Sequence, residues 1–285
     1  MTSEPTKEPT KTYRGNCHCG ALVYEAQLPE IKTVITCNCS MCFKKGARWL
    51  YAPEASVKIV KGSENDLTAY QFHTKFITHM FCPTCASHVF GKGGEGDDVL
   101  YGLNVNCIQG IDFQALEENF TDGASSGEKH IPPTYSGPEP TAEIEGAKIY
   151  HGSCQCGAVQ VAVKSKDLHE NPEAAGKYGC TTCGCSICSR IGATWAYPKN
   201  EQVAFQSRDN LSYYSYNDKL LTKPFCKTCG VTFANEFADV TQEHLDSVSE
   251  ASRKFREAQL GTCPFNLRVL DNFSLDGLKI THMPG

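Results

Sequence analysis

Cysteine pairs and triplets recur along this chain at spacings that suit a metal ion. Cys17-x-Cys19 and Cys82-x-x-Cys85 each offer two thiols, and between them Cys37-x-Cys39-x-x-Cys42 offers three. The same order returns as Cys154 and Cys156, then Cys183, Cys185 and Cys188, then Cys226 and Cys229. A tetrahedral zinc site is often built from two ligand pairs on separate turns, so Cys17, Cys19, Cys82 and Cys85 are expected to form one closed site. Cys154, Cys156, Cys226 and Cys229 form its counterpart. With four protein thiolates such a zinc has no open position, and its role is folding. The triplets differ, because three thiolates leave one position open, as a catalytic zinc requires. An exogenous thiol is a natural fourth ligand, since zinc favours sulfur and lowers the pKa of the thiol it holds.

Each open position has competitors. His73, His79 or His88 could close the first triplet, and Cys180 could close the second. Paired spacings that occur twice are poorly explained by reduced core cysteines, and two pairs plus a triplet suit an iron–sulfur cluster poorly. Cys107 and Cys263 have no partner at the aligned position and are expected to be ordinary buried thiols. A zinc on three thiolates carries a net charge of about −1, so a substrate thiolate there needs positive compensation. Lys44, Lys45 and Arg48 follow the first triplet and Arg190 the second, with Lys199 further on. They are candidates to supply it, against the alternative of a solvated loop face. Trp49, Tyr51, Trp195 and Tyr197 either wall a pocket or pack the core.

These side chains sit in two copies of one design. Tyr13–Ala21 matches Tyr150–Ala158, Thr36–Cys42 matches Thr182–Cys188, Gly46–Tyr51 matches Gly192–Tyr197, and Phe81–Cys85 matches Phe225–Cys229. Four ordered blocks identify a tandem duplication. The expected layout is a disordered arm over residues 1–12, a first domain over 13–120, a linker over 121–149 rich in proline, and a second domain over 150–283. The offsets place a longer loop around Asp167–Ala175. A further insert at about 240–260 carries Val240, Val248, Ala251, Phe255 and Ala258 at helical spacing, with Asp239 and Gln242 as its start and Gly261 as its stop. Elsewhere Ala21–Ala26, Val57–Lys61, Leu100–Val105 and Val159–Lys164 alternate apolar and polar residues over strand lengths. Small sheets of this kind bury limited apolar area and gain from a metal staple.

Composition excludes several classes. Of 285 residues 40% are hydrophobic and 21% charged, as in globular proteins. The formal charge is −5, and full zinc loading adds about six more negative charges, which argues against nucleic acid as a partner. No stretch approaches a membrane span, and the N-terminus has no apolar signal core. Seventeen cysteines, an odd number, without an export signal point to metal thiolates or redox chemistry and to the cytoplasm, with the nucleus as the alternative. Two similar halves can pack as a monomeric pseudo-dimer, or the chain can form a homodimer.

The series Gly-x-Cys-x-Cys-Gly, Cys-x-Cys-Ser-x-Cys and Phe-Cys-x-x-Cys resembles the glutathione-dependent formaldehyde-activating enzyme family, whose domain is shared by centromere protein V. Two consecutive copies cover nearly the whole chain. After the last pair the family commonly has Gly, kept as Gly230 but replaced by Ala86 in the first copy. The resemblance implies a mainly β architecture of Mss4-like domains stapled by zinc; the tandem fusion and the helical insert in the second copy depart from the usual single domain of the family. It also implies structural zinc on the two pairs, catalytic zinc on Cys37, Cys39, Cys42 and on Cys183, Cys185, Cys188, and two to four zincs per chain. The implied activity is that of a carbon–sulfur lyase, which reversibly joins the thiol of glutathione, or a similar thiol, to a small carbonyl compound. Two alternatives remain: a zinc-stapled module that binds protein partners, and a biosynthetic isomerase or accessory enzyme that uses glutathione transiently.

Overall fold

A computed structural model describes residues 9–94 and 96–285, which form two compact units. Among the described residues, one comprises 9–42 with 47–94 and 96–129, the other Phe43–Gly46 with His130–Gly285. Of the arm expected over residues 1–12, residues 1–8 lie outside the described residues. Lys11 and Thr12 already belong to a strand, paired with Leu28 and Gln27.

The first unit contains β1 (Lys11–Asn16), β2 (Val23–Leu28), β3 (Thr33–Cys37), β4 (Arg48–Pro53), β5 (Val57–Lys61), β6 (Thr68–Tyr70), β7 (Ile77–Phe81), β8 (His88–Gly93), β9 (Leu100–Asn104) and β10 (Glu117–Thr121). A short helix, α1 (Ser40–Lys45), begins in this unit and ends in the segment that packs with the second. The strands make a three-stranded sheet, β1-β2-β5, and a seven-stranded sheet, β10-β3-β4-β9-β8-β7-β6. All pairings are antiparallel except β10 with β3. The alternation in β2 has its physical cause in the pleat: Val23, Tyr24, Ala26 and Leu28 are buried while Gln27 is exposed. Tyr24 stacks at a tilt on Phe90 of β8, with centroids 4.9 Å apart, which joins the two sheets over one core.

The second unit repeats the plan with β11 (Lys148–Ser153), β12 (Gln160–Ser165), β13 (Cys180–Cys183), α2 (Ser186–Ile191), β14 (Trp195–Ala196), β15 (Val203–Phe205), β16 (Leu211–Ser215), β17 (Leu221–Cys226), β18 (Glu236–Phe237), α3 (Gln242–Ser247), α4 (Glu250–Gln259), β19 (Phe265–Asn266) and β20 (Ile280–Met283). Here the large sheet is divided into β19-β14-β13-β20 and β16-β17-β18, beside β11-β12-β15. β20 runs parallel to β13, as β10 does to β3. The chain is therefore mainly β, in two tandem copies, with helices concentrated in the insert. No helix among the described residues is long and apolar enough to cross a membrane.

The insert differs from the single helix expected over 240–260. It forms α3 and α4, separated at Val248 and Ser249, because the Ser249 hydroxyl accepts the Ser252 N–H and starts a new helix. Thr241, not Asp239, caps α3 by accepting the His244 N–H. Phe255 of the expected apolar stripe is 52% exposed. The helices rest on the turn before β17, where His244 Nε2 lies 2.7 Å from the Asp218 carbonyl and the Ser252 hydroxyl donates to the Asp218 carboxylate. Residues 130–147, within the expected linker, lie along the second unit: Ala142 N donates to Glu201 O, and the Tyr135 hydroxyl to Ala204 O.

Candidate metal centres

All seventeen cysteines are free thiols, and fourteen of them gather in four groups. Within each group every sulfur lies within 4.8 Å of the others. Zinc bonded to sulfur at about 2.3 Å in a tetrahedron separates its ligands by about 3.8 Å. The observed separations match this: Cys17 to Cys19 and Cys19 to Cys82 are 3.6 Å apart, and Cys154 to Cys156 and Cys156 to Cys226 are 3.5 Å apart. Disulfides would need about 2.05 Å. The residues present thus fit zinc.

The two four-cysteine groups are built alike. Cys17 and Cys19 occupy the turn between β1 and β2, and Cys82 and Cys85 the turn between β7 and β8. The Leu22 N–H donates to Cys17 Sγ over 3.3 Å, matched by Val159 N–H to Cys154 Sγ over 3.3 Å. Ser87 Oγ contacts Cys85 Sγ at 3.3 Å and accepts from His18 N. In the second unit Asn210 Nδ2 donates to Cys226 Sγ over 3.2 Å. Hydrogen bonds that the thiols share lower Cys17, first through Cys19, to about 7, and push Cys82 up, first through Cys17. Crowded thiols cannot all ionise without a cation, and a divalent metal removes that conflict. The knuckle in the first unit needs a left-handed residue after Cys85, supplied by Ala86 at φ 59°, where the second unit has Gly230 at φ 70°.

Each triplet spans a strand end and a helix start. Cys37 ends β3 and Cys42 lies in α1, while Cys183 ends β13, Cys185 precedes α2 and Cys188 lies within it. The Cys39 N–H donates to Cys37 Sγ and the Cys185 N–H to Cys183 Sγ, both over 3.4 Å. Hydrogen bonds from Cys39 and then Cys42 hold Cys37 down at about 2, while the same sharing lifts Cys39, first through Cys37, to about 11. In the second triplet Cys183 and Cys188 hold Cys185 at about 2, and a Lys223 charge adds to the effect.

The structure separates the candidate fourth ligands from both triplets. Cys180 stands three positions before Cys183 on β13, on the opposite face of the strand. Its thiol is pushed up by burial alone, and it joins none of the four groups. His79 and His88 are buried against Trp49, with Nδ1 of one 3.2 Å from Nε2 of the other, and neither they nor His73 join the first triplet. Cys107 and Cys263 are buried outside the groups.

The candidate cations are placed unequally. Lys44 and Lys45 belong to the segment that packs with the second unit and are 4% and 3% exposed. Lys44 Nζ lies 2.7 Å from Asp271 Oδ1 and also donates to Ser153 O and Val269 O, while Lys45 donates to Gly230 O. Both ammonium groups are hydrogen-bonded and removed from solvent. Arg48 pairs with Glu118 at 2.9 Å but stays partly exposed, and Arg190 donates to Ser186 O of its own helix. The two tryptophans are core residues, 3% and 2% exposed, whereas Tyr51 is 47% exposed. Trp49 Nε1 donates to Cys42 Sγ over 3.2 Å. Tyr197 shares a 2.7 Å hydrogen bond with Thr181 Oγ1.

Residues without cysteine also shape the sites. Gly123, just after β10, lies against Cys37 Sγ. Lys223 Nζ lies 4.0 Å from Cys188 Sγ. Tyr216 packs against the core cluster that includes Cys188, and together with Leu221, Ala251 and Phe255 it lines a cavity of about 320 Å³ beneath the insert. Repeat alignment held the signal for Lys223, because that position is His79 in the first copy.

Among solved structures, a crystal structure of a Rhodobacter sphaeroides protein is 31% identical, over 38% of this chain and 99% of that chain, with a TM-score of 0.34. The family model described as glutathione-dependent formaldehyde-activating enzyme matches residues 12–121 and 149–251, one segment on each cysteine series. With both copies matched over most of the chain, the protein belongs to the glutathione-dependent formaldehyde-activating enzyme family.

Proposed function

We propose that this protein is a zinc-dependent enzyme of the carbon–sulfur lyase type, which joins and separates glutathione, or a similar thiol, and a small carbonyl compound. The observation that carries this reading is the pair of three-cysteine groups in a chain of this family, each without a fourth side-chain ligand among the described residues. When bound at three thiolates, zinc supplies an open position that lowers a thiol's pKa and polarises a carbonyl.

The chain's own residues do the rest. Cys37, Cys39 and Cys42, or Cys183, Cys185 and Cys188, hold the metal, while the two four-cysteine groups tie the turns together. Arg48 and Arg190, both partly exposed, are the remaining candidates for a ligand carboxylate. The hydroxyls of Tyr51 and Tyr197 belong to residues beside the triplets, and both are kept protonated first by burial and then by the nearby thiolate charge, with the Thr181 hydrogen bond opposing this at Tyr197. A neutral phenol can donate a proton to the carbonyl oxygen as the carbon–sulfur bond forms, and the resulting phenolate takes it back as that bond breaks. Two tandem Mss4-like domains, with the cytoplasm as their compartment, complete the reading.

The test is exchange spectroscopy by NMR on glutathione mixed with formaldehyde, and with larger aldehydes, in the presence of the zinc-loaded chain. Catalysis raises the exchange rate between free thiol and adduct, and Cys183→Ser combined with Cys37→Ser removes the acceleration. An exchange rate equal to that of buffer for every aldehyde would leave the binding-module alternative.

A further inference from the structure

The two triplets share a scaffold but not a charge environment. In both units an asparagine ends the strand that pairs with the tryptophan strand and braces the neighbouring backbone: Asn104 Nδ2 donates to His88 O, and Asn266 Nδ2 to Thr232 O. The same asparagines accept the N–H of Arg48 and of Thr194. Against this common frame, the position that is His79 on β7 becomes Lys223 on β17.

Lys223 is 3% exposed. Its ammonium lies 4.9 Å from the Trp195 ring centroid and donates to Asn235 Oδ1. Among the described residues no carboxylate oxygen comes within 4.0 Å of it. A buried charge without a partner is costly, so its counter-charge must lie close by. The group that can supply it is the triplet, with Cys188 Sγ 4.0 Å away. A second difference accompanies the first. Trp49 Nε1 donates to Cys42, whereas the equivalent Trp195 Nε1, 2% exposed, has no hydrogen-bond partner among the described residues. The second triplet therefore sits beside a buried ammonium and a buried, unused N–H donor. The first has His79 and His88 bonded to each other instead.

From this geometry we infer that the second triplet, Cys183, Cys185 and Cys188, is the one that accepts the substrate thiolate, with Lys223 as the positioning residue that offsets the incoming negative charge. The inference rests on the thiol-binding reading above and assigns it to one half of the chain. Three thiolates on zinc leave about −1, and a fourth makes about −2. One buried ammonium returns the second site to about −1, while the equivalent position at the first triplet holds His79, which is bonded to His88. The thiol proton leaves to water as the thiolate binds, so no further reactant is needed.

The experiment uses the full chain loaded with cobalt, titrated with glutathione and followed by sulfur-to-cobalt charge-transfer absorption. The expected result is one saturating equivalent of new absorption, lost in Cys183→Ser and kept in Cys37→Ser. Lys223→Met, a neutral residue of similar length, should weaken apparent glutathione affinity roughly ten- to a hundredfold, while Lys223→Arg restores much of it. Circular dichroism and the four-cysteine cobalt spectrum verify that each variant folds. If Lys223→Met disrupts folding, the two cysteine variants decide the assignment alone. Equal glutathione binding at both triplets, or unchanged affinity in folded Lys223→Met, would overturn the inference and leave the thiol reading standing. No spectral response to glutathione in the unmodified chain would overturn both.

Discussion

The backbone of Gly123 lies against Cys37 Sγ, closer than any side chain at that position would allow. A β-carbon there would approach the sulfur to less than 3.0 Å and Cys39 Cβ to 3.2 Å. The parallel strand β10 thus delivers a glycine to the first triplet, where its N–H helps keep Cys37 ionised. Replacing Gly123 with Ala should lower metal affinity at this triplet roughly 10–100-fold, the range for residues that orient a ligand. The four-cysteine sites should be untouched. Competition with a chromophoric chelator measures this, and equal affinity in the variant would show that the strand end yields freely.

Ala86 and Gly230 test the knuckle. Both have positive φ, but only Ala86 has a β-carbon to strain there. Left-handed backbone in a residue other than glycine costs about 1–3 kcal/mol, partly offset by the smaller unfolded-state entropy of alanine. Ala86→Gly should therefore raise unfolding free energy by up to about 1 kcal/mol. Gly230→Ala should lower it by about 1–2 kcal/mol, as read from urea melts of the zinc-loaded chain.

The two kinds of cysteine group should differ when broken. The four-cysteine groups tie β1–β2 to β7–β8 and β11–β12 to the end of β17. Cys85→Ser or Cys229→Ser should cost more than about 4 kcal/mol, as loss of a structural metal does. Cys37→Ser or Cys183→Ser, whose groups join neighbouring residues only, should cost less than about 2 kcal/mol. Thermal melts with matched zinc content provide the comparison, and equal losses would contradict the division of roles.

Alkaline pH should act through Cys263. Burial, then the charge of Glu236, raises this thiol from its ordinary 9.0 to about 12. Between those values the unfolded chain has released the proton and the folded chain still holds it. Raising pH therefore favours unfolding, with a slope that reaches about 1.4 kcal/mol per pH unit. Stability from this group is intact below pH 9 and falls as pH climbs toward 12. Cys263→Ala should flatten the alkaline limb of a stability–pH curve while changing its acid limb little.

Much of this architecture was legible because cysteine spacing and the repeat are one-dimensional signals. The four groups follow from ligand spacing, and strands such as β2 and β12 fall within a residue or two of the alternating windows. Val57–Lys61 matches β5 outright. The insert was harder to read, since its apolar stripe continues across Val248 while the Ser249 cap, a local hydrogen bond, divides it. Cys180 lies near Cys183 in sequence, but pleating turns it to the other face of β13. The fates of Lys44 and Lys45 depend on Asp271 and Gly230, more than 180 residues away. Lys223 shows only as a substitution between copies, and its meaning requires the packing of β17 against Trp195.

The central claim, that the triplets hold exchangeable metal able to accept a thiol, is tested most directly by zinc per chain. Protein purified without added metal would be analysed before and after mild chelation, with and without glutathione. The account predicts close to four zincs, two of them labile to chelator, with glutathione protecting the one at the second triplet. A value close to two, unchanged by chelator or by glutathione, would contradict it and leave only the closed, structural sites.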